Sequence, residues 1–524
     1  MAKEEAKAIS LKALVDKENN RVIFAETDED FTDVLSSFLT MPMGTIIRLL
    51  SNNNQPPPVG IGCMNNLYES IKNLDMLRFR NEACKTMLLW PKNGAAPQNK
   101  RLKLQIDDSK LQRYFLCNRD CTLNTHKLLS LYPNAVCECG GLMDRTIELS
   151  ENDNIQKSVS DARDRGVFVQ GLTQFLISDE LQVKPSSVEA SLSVLSKLGY
   201  MDFSTIEEHN IDIGVDEVLT LLKCSLVSKK PLTKTLLKQI SAPKFGEEDF
   251  DQNIYVEYKL QEPESNVAEN IHGKLDFDQN MYVESKIEES ESNVDGRIHV
   301  KLIISKSKNM VCYAEASEKF VDLVCSFLTI PLGYIIKEMQ SSISKGSFTH
   351  LYDSVQELDA EKYFKSNDHK DMLISPKLAP DFSYGKHPLG LEEASHPTYS
   401  YGEYRSSNYP YPTQFRLTSD GKILSYWESS ILIIKDPKSH FKEATRGGFV
   451  TGPKMFTLFD NLIITPVSQI SSLSLLKKLK LPLSDIEVRV VHVGSEEASR
   501  LLMASFVSES ALTNTFLREL NPGF

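Results

Sequence analysis

No stretch of this 524-residue sequence approaches the ~20 consecutive apolar residues that carry a helix across a bilayer. The opening residues, Met1-Ala2-Lys3-Glu4-Glu5, lack the hydrophobic core of a secretory signal. Together these absences predict an intracellular protein, cytoplasmic or nuclear, with no membrane partner. Local catalytic signatures are missing too. There is no Gly-x-x-x-x-Gly-Lys phosphate loop, no Gly-x-Gly-x-x-Gly after a strand, no His-Glu-x-x-His and no Gly-x-Ser-x-Gly. This weighs against an enzyme without removing it, because a nucleophile and its base can assemble from distant residues. Neither flank of the chain has an excess of Lys and Arg, so nucleic-acid binding has no electrostatic support.

What is present is ordinary globular composition, 41% hydrophobic and 25% charged. That excludes bulk disorder, and the length exceeds one typical domain. The net charge of −12 is uneven: residues 239–300 carry about −10 of it, which reads as a solvated acidic linker. Nine cysteines is an odd count. Without a secretory signal they are better read as thiols or metal ligands than as a disulfide framework.

The strongest signal is internal repetition. Arg21 to Leu50 aligns without a gap to Met310 to Met339, with identity at about half the positions. Asp33 matches Asp322, and Ser37-Phe38-Leu39-Thr40 recurs as Ser326-Phe327-Leu328-Thr329. Pro42 and Gly44 recur as Pro331 and Gly333. Further on, Arg165-Gly166-Val167-Phe168-Val169 faces Arg446-Gly447-Gly448-Phe449-Val450, and Leu232-Thr233 faces Leu512-Thr513. These matches predict two tandem homologous units: residues 1–238 with a Cys-rich loop, and residues 297–524 with a Tyr- and Pro-rich loop. Residues 239–296 form the acidic linker between them. The linker repeats Asp249-Phe250-Asp251-Gln252-Asn253 as Asp276-Phe277-Asp278-Gln279-Asn280, which local copying in a tolerant segment explains.

Within a unit, Leu11 to Val15 and Val22 to Ala25 flank a polar turn and predict a β-hairpin, as do Val300 to Ile304 and Val311 to Ala314. Asp28 and Ser317 are matched N-caps for the helix that follows, and Pro42 and Pro331 interrupt it. Short strands are expected near Val167 to Val169 and Gln174 to Ile177, a helix near Val188 to Leu198, a strand through His209 to Ile213 and a helix from Val215 to Ser228. The mixture makes the fold class α+β. Asp33 and Asp322, just inside a helix, read as carboxylates favoured by the helix dipole. The tyrosines at 399, 401, 404, 409 and 411, with Arg405, read as a surface loop.

With the Ser-Phe-Leu-Thr-x-Pro-x-Gly block, the Asn65-Asn66-Leu67-Tyr68-Glu69-Ser70 stretch and the Cys137-Glu138-Cys139-Gly140 turn in view, the sequence resembles a plant family, the one catalogued as domain of unknown function 674. The resemblance covers nearly the whole chain outside the linker. It implies no assigned activity and carries over no catalytic residue. The second unit departs from the pattern, since it lacks the cysteine turn.

Cys117, Cys121, Cys137 and Cys139 are the best candidate site. Two thiol pairs separated by a loop-sized segment suit one tetrahedral zinc, with His126 as an alternative to one cysteine. Reduced structural cysteines and redox chemistry are the competing readings. Four protein ligands leave no open position for water, so a zinc here would serve folding or binding. Cys63, Cys84, Cys224, Cys312 and Cys325 lie in apolar segments and read as small buried hydrophobes. The leading expectation is therefore a non-catalytic binding or scaffold protein with a protein partner and a structural zinc in the first unit. An enzyme with a site between the units and a zinc-dependent nucleic-acid binder are the alternatives.

Overall fold

The computed structural model describes residues 7–51, 60–106, 113–119, 121, 126–149, 165–240, 298–339, 346–383, 387–404, 414–419, 429–439, 447–452 and 454–518. In the first half the strands are β1 (Ile9–Asp16), β2 (Arg21–Thr27), β3 (Tyr114–Cys117), β4 (Leu128–Leu129), β5 (Ala135–Val136), β6 (Leu142–Ile147), β7 (Phe175–Ser178), β8 (Val183–Pro185) and β9 (Ile206–Ile213). The second half supplies β10 (Ile298–Ser305), β11 (Met310–Ser317), β12 (Tyr399–Tyr404), β13 (Gln414–Ser419), β14 (Ser429–Ile434), β15 (Met455–Phe459), β16 (Ile464–Pro466) and β17 (Ile486–Val493). Helices follow these strands in separate runs, several after β2 before β3 begins and several more after β11, and the fold is α+β. Most of the acidic segment 239–296 lies outside the described residues.

Two antiparallel sheets carry the architecture, ordered β8-β7-β2-β1-β9 and β16-β15-β11-β10-β17. Each grows from a hairpin written by alternation: Ile9, Leu11 and Ala13 are buried while Ser10 and Lys12 are exposed, so one face of the strand meets the core. Both hairpins turn through an asparagine with positive φ, Asn20 at 45° and Asn309 at 46°. Asparagine is one of the few residues that visits this region readily. Both hairpins also carry a bulge at the matched step, Leu14/Val15 and Ile303/Ile304.

The helix Glu29–Ser37 starts at Asp28, whose side chain accepts the Asp30 N–H. Its counterpart Glu318–Ser326 starts at Ser317, which makes no such bond. Each helix tightens into a 3-10 turn over Phe-Leu-Thr and stops before the matched proline, and a second helix begins just beyond it, Met43–Ser51 or Leu332–Met339. The helix Val188–Lys197 and the helix Val215–Val227 fall where the sequence places them. At Val167 to Val169 the structure forms no strand, only a single bridge from Val169 to Phe364.

Pro42 and Pro331 pair with one another across the halves. The Met43 N–H donates to Ile330 O at 3.0 Å, and the Leu332 N–H donates to Met41 O at 2.9 Å. The exchange is reciprocal, as in a two-fold contact between identical subunits. It explains the matched glycines, because a β-carbon on Gly44 would stand 3.1 Å from Leu328 O and one on Gly333 2.8 Å from Leu39 O. One apolar core runs through both halves, from Ile9, Phe31 and Phe38 to Phe320, Phe327 and Leu512. The described residues on both sides of 238–296 thus form one compact unit.

The carboxylates of Asp33 and Asp322 are buried and are not first-turn dipole partners, which corrects the sequence reading. Asp33 accepts the N–H groups of Val167, Phe168 and Val169, and Asp322 those of Phe449 and Val450. Each aspartate fixes the matched Arg-Gly loop more than a hundred residues downstream. A second matched device ties Thr233 to Asp179 and Thr513 to Asp460, through both the threonine N–H and its hydroxyl.

Candidate metal centre

The three-stranded sheet β3-β6-β5 positions the thiols. β3 ends at Cys117, where a bulge between Leu116 and Cys117 turns the chain, and β5 and β6 are joined by the turn Cys137-Glu138-Cys139-Gly140-Gly141. That turn is closed by the Cys137 N–H on Gly141 O at 2.8 Å and the Gly140 N–H on Cys137 O at 2.9 Å. Gly140 has φ of 75°, the left-handed region in which a β-carbon is strained. Glycine at this step lets both thiols of a Cys-x-Cys pair point the same way.

All four sequence-predicted sulfurs converge. Sγ of Cys117 is 3.4 Å from that of Cys139, Cys121 is 3.4 Å from Cys137 and 3.7 Å from Cys139, and all four lie within 4.8 Å of one another. Zn–S bonds of ~2.3 Å in a tetrahedron put sulfurs ~3.8 Å apart, so the set fits that ion. Cys117 and Cys137 are buried, Cys121 and Cys139 half-buried, and none is in a disulfide.

Backbone donors reach two of the sulfurs. The Arg119 N–H points to Cys117 Sγ and the Gly141 N–H to Cys139 Sγ, each at 3.4 Å. At Cys139 burial raises the thiol, but the Gly141 N–H and the three neighbouring thiols outweigh it and bring it down to about 7. Burial and the same crowding push Cys121 up. His126 is not part of the group: its Nδ1 lies 3.2 Å from Glu138 Oε2, and its N–H donates to Cys121 O. The Arg119 guanidinium donates to Cys139 O at 3.0 Å, bracing the turn from outside.

The thiol-bearing region is tied to the second half. Phe115 exchanges both backbone hydrogen bonds with Ser130, and β4 then pairs in parallel with β14, completing the sheet β13-β12-β14-β4. Tyr399 and Tyr401, read from sequence as part of a surface loop, are buried in β12. The Tyr399 hydroxyl meets that of Tyr114 at 3.3 Å. Tyr404 ends β12, while Arg405, Tyr409 and Tyr411 lie outside the described residues. Cys63, Cys84, Cys224, Cys312 and Cys325 are all buried, away from this group.

Sequence reading missed a second cluster, because its members are far apart in the chain. Lys438 is fully buried, and its Nζ is 3.0 Å from Asp436 Oδ1 and also donates to Asp381 O. Asp381 has a left-handed backbone, φ 68°, and its Oδ2 lies 2.8 Å from His396 Nε2. On the first-half side, burial pushes Lys92 down to about 7, and the Tyr132 hydroxyl is buried without a partner among the described residues.

Among the described residues, no helix is long and apolar enough to cross a membrane. No curated protein and no solved structure matches the sequence. A model of the family described as protein of unknown function (DUF674) matches residues 5–496, nearly the whole chain on both sides of the acidic segment, and the chain therefore belongs to that family.

Proposed function

We propose that this is a non-catalytic binding or scaffold protein, built from two copies of one unit, with a structural zinc held by Cys117, Cys121, Cys137 and Cys139. The convergence of four thiols within 4.8 Å carries the reading. A closed set of four protein ligands leaves no site for water or substrate, so the ion would brace the loop that holds it. That loop feeds β4, and β4 supports β14, from which Ile431 and Ile433 project with 61% and 65% of their surface exposed. These two side chains are the surface a protein partner would cover. The matched aspartates and threonines favour the non-catalytic reading, because they are committed to backbone N–H groups.

Elemental analysis of protein purified without added zinc tests the centre. About one zinc per chain is expected, lost in the Cys137→Ser, Cys139→Ser double variant. Hydrogen exchange should then quicken over β3 to β6 and β14 while the two five-stranded sheets stay protected. A metal-free wild type with the same exchange pattern as the variant removes the proposal.

A second reading, an enzyme with its site between the halves, draws on the Lys92, Tyr132, Asp381 and His396 group. Burial lowers the Lys92 amine, whose Nζ donates to Leu131 O and lies 4.9 Å from the centre of the Tyr132 ring, and a lowered amine is a candidate reactive group. Trace acylation at neutral pH followed by peptide mapping should label Lys92 ahead of the surface lysines; labelling no faster than theirs ends this reading.

A further inference from the structure

The outer edges of the two five-stranded sheets occupy the same register but carry different chemistry. In the first sheet β9 is the edge, with Leu14 opposite Glu208, Lys12 opposite Asn210 and Ser10 opposite Asp212. In the second, β17 is the edge, with Ile303 opposite Val488, Lys301 opposite Val490 and His299 opposite His492. Since Lys12 and Lys301 face the matched Glu26 and Glu315, the register equates Glu208 with Val488 and Asn210 with Val490. An edge strand offers a row of N–H and C=O groups to any passing strand, and charged side chains are the usual guard. β9 keeps that guard, with Glu208 ion-paired to Lys12. β17 has dropped it on the matching face: Val488 and Val490 are 56% and 58% exposed on that face of an eight-residue strand unpaired along its outer side among the described residues.

We propose that β17 pairs antiparallel with β17 of a second copy of this chain, joining two five-stranded sheets into one of ten strands. The strand is complementary to itself. Glu487 and Arg489 flank Val488 on the opposite face, within one ion pair at 2.8 Å. A two-fold axis through Val488 sets Glu487 of each copy against Arg489 of the other, Val488 against itself and Val490 against Ile486. An axis through Arg489 would instead oppose two guanidinium groups. Opposite charges directly across a sheet stabilise the pairing and like charges oppose it. A two-fold contact uses the same strand of both copies, so the pairing closes as a dimer and does not propagate.

Sedimentation equilibrium of the full chain over a wide concentration series tests this. The wild type should rise from the single-chain mass of 59.1 kDa towards twice that value. The Val488→Glu, Val490→Asn double variant, which installs the first sheet's own residues, should stay at the single-chain mass. Its thermal unfolding should match the wild type, since that register already tolerates these residues in β9. Arg489→Glu should weaken the dimer about tenfold or more, and adding Glu487→Arg should restore it. A wild type at the single-chain mass throughout, a dimer indifferent to the valine variant, or a charge swap that restores nothing overturns the proposal.

Discussion

Asp33 and Asp322 occupy matched positions and hold matched loops, yet they do so with different atoms. Asp33 offers both oxygens, Oδ2 to Val167 and Oδ1 to Phe168 and Val169. Among the described residues, Asp322 offers Oδ1 to both Phe449 and Val450. Its Oδ2 fills the space over Gly448, the residue aligned with Val167, where a β-carbon would stand 1.6 Å away. Burial raises both carboxyls, Asp33 to about 6 with three N–H donors and Asp322 to about 7 with two. Matched residues therefore preserve a connection between elements without preserving the bonds that make it, and the loop residue decides which oxygen is used.

The sharpest way to break this comparison is to exchange the loop residues. Gly448→Val should cost more than ~4 kcal/mol or abolish soluble folding, because the side chain has nowhere to go, whereas Val167→Gly should cost only about 1–2 kcal/mol. Urea unfolding of the two variants measures the asymmetry. Exchanging the acids should give a smaller effect. Asp33→Asn leaves one buried N–H facing an amide donor, for about 1–3 kcal/mol, while Asp322→Asn keeps its Oδ1 for both N–H groups and should cost less than ~1 kcal/mol at acidic pH.

The same pair predicts a pH dependence of definite sign. A carboxyl raised from 3.8 to about 7 in the folded state contributes stability that is complete below its unfolded value and is lost as pH rises through about 7. Asp322→Asn lacks this titration. Its stability relative to wild type should thus improve between about pH 4 and about pH 8, by on the order of 1–3 kcal/mol. Urea midpoints at the two ends of that range check it, and a flat difference would place the Asp322 titration in the ordinary carboxylate range. The smallest contrast lies at the helix starts: Asp28→Ala should cost about 1 kcal/mol and Ser317→Ala a few tenths at most, since only Asp28 caps a backbone N–H.

Much of this architecture was legible in the sequence because it is local. Strand alternation in Ile9–Asp16, the cap at Asp28, the stop at Pro42 and the helix Val215–Val227 each depend on neighbours within a few residues. The four thiols were legible because clustered cysteines announce themselves by type and spacing, although His126 had to be seen against Glu138 to be set aside. Asp33 was misread because its partners lie more than a hundred residues away, and nothing in a helical window reveals that its carboxylate turns inward. Tyr399 and Tyr401 were misread for a related reason: among Pro, Ser and Gly their alternation is too short to mark a strand, and they are ordered by β13, β14 and the first-half Tyr114. The Lys438 group brings Asp381 to a lysine 57 residues further on, with no motif or periodicity between them to mark it.

The Pro42 to Pro331 pairing sets a timetable for synthesis. Its two partners are separated by roughly 290 residues, so at ~5 to 20 residues per second the first waits about 15 to 60 seconds for the second to be made. Throughout that interval Phe38, Leu39, Met41 and Met43, all buried in the finished molecule, lack part of their cover. A strip left uncovered for that long is the part of the nascent first half most open to pairing with the same strip of another copy.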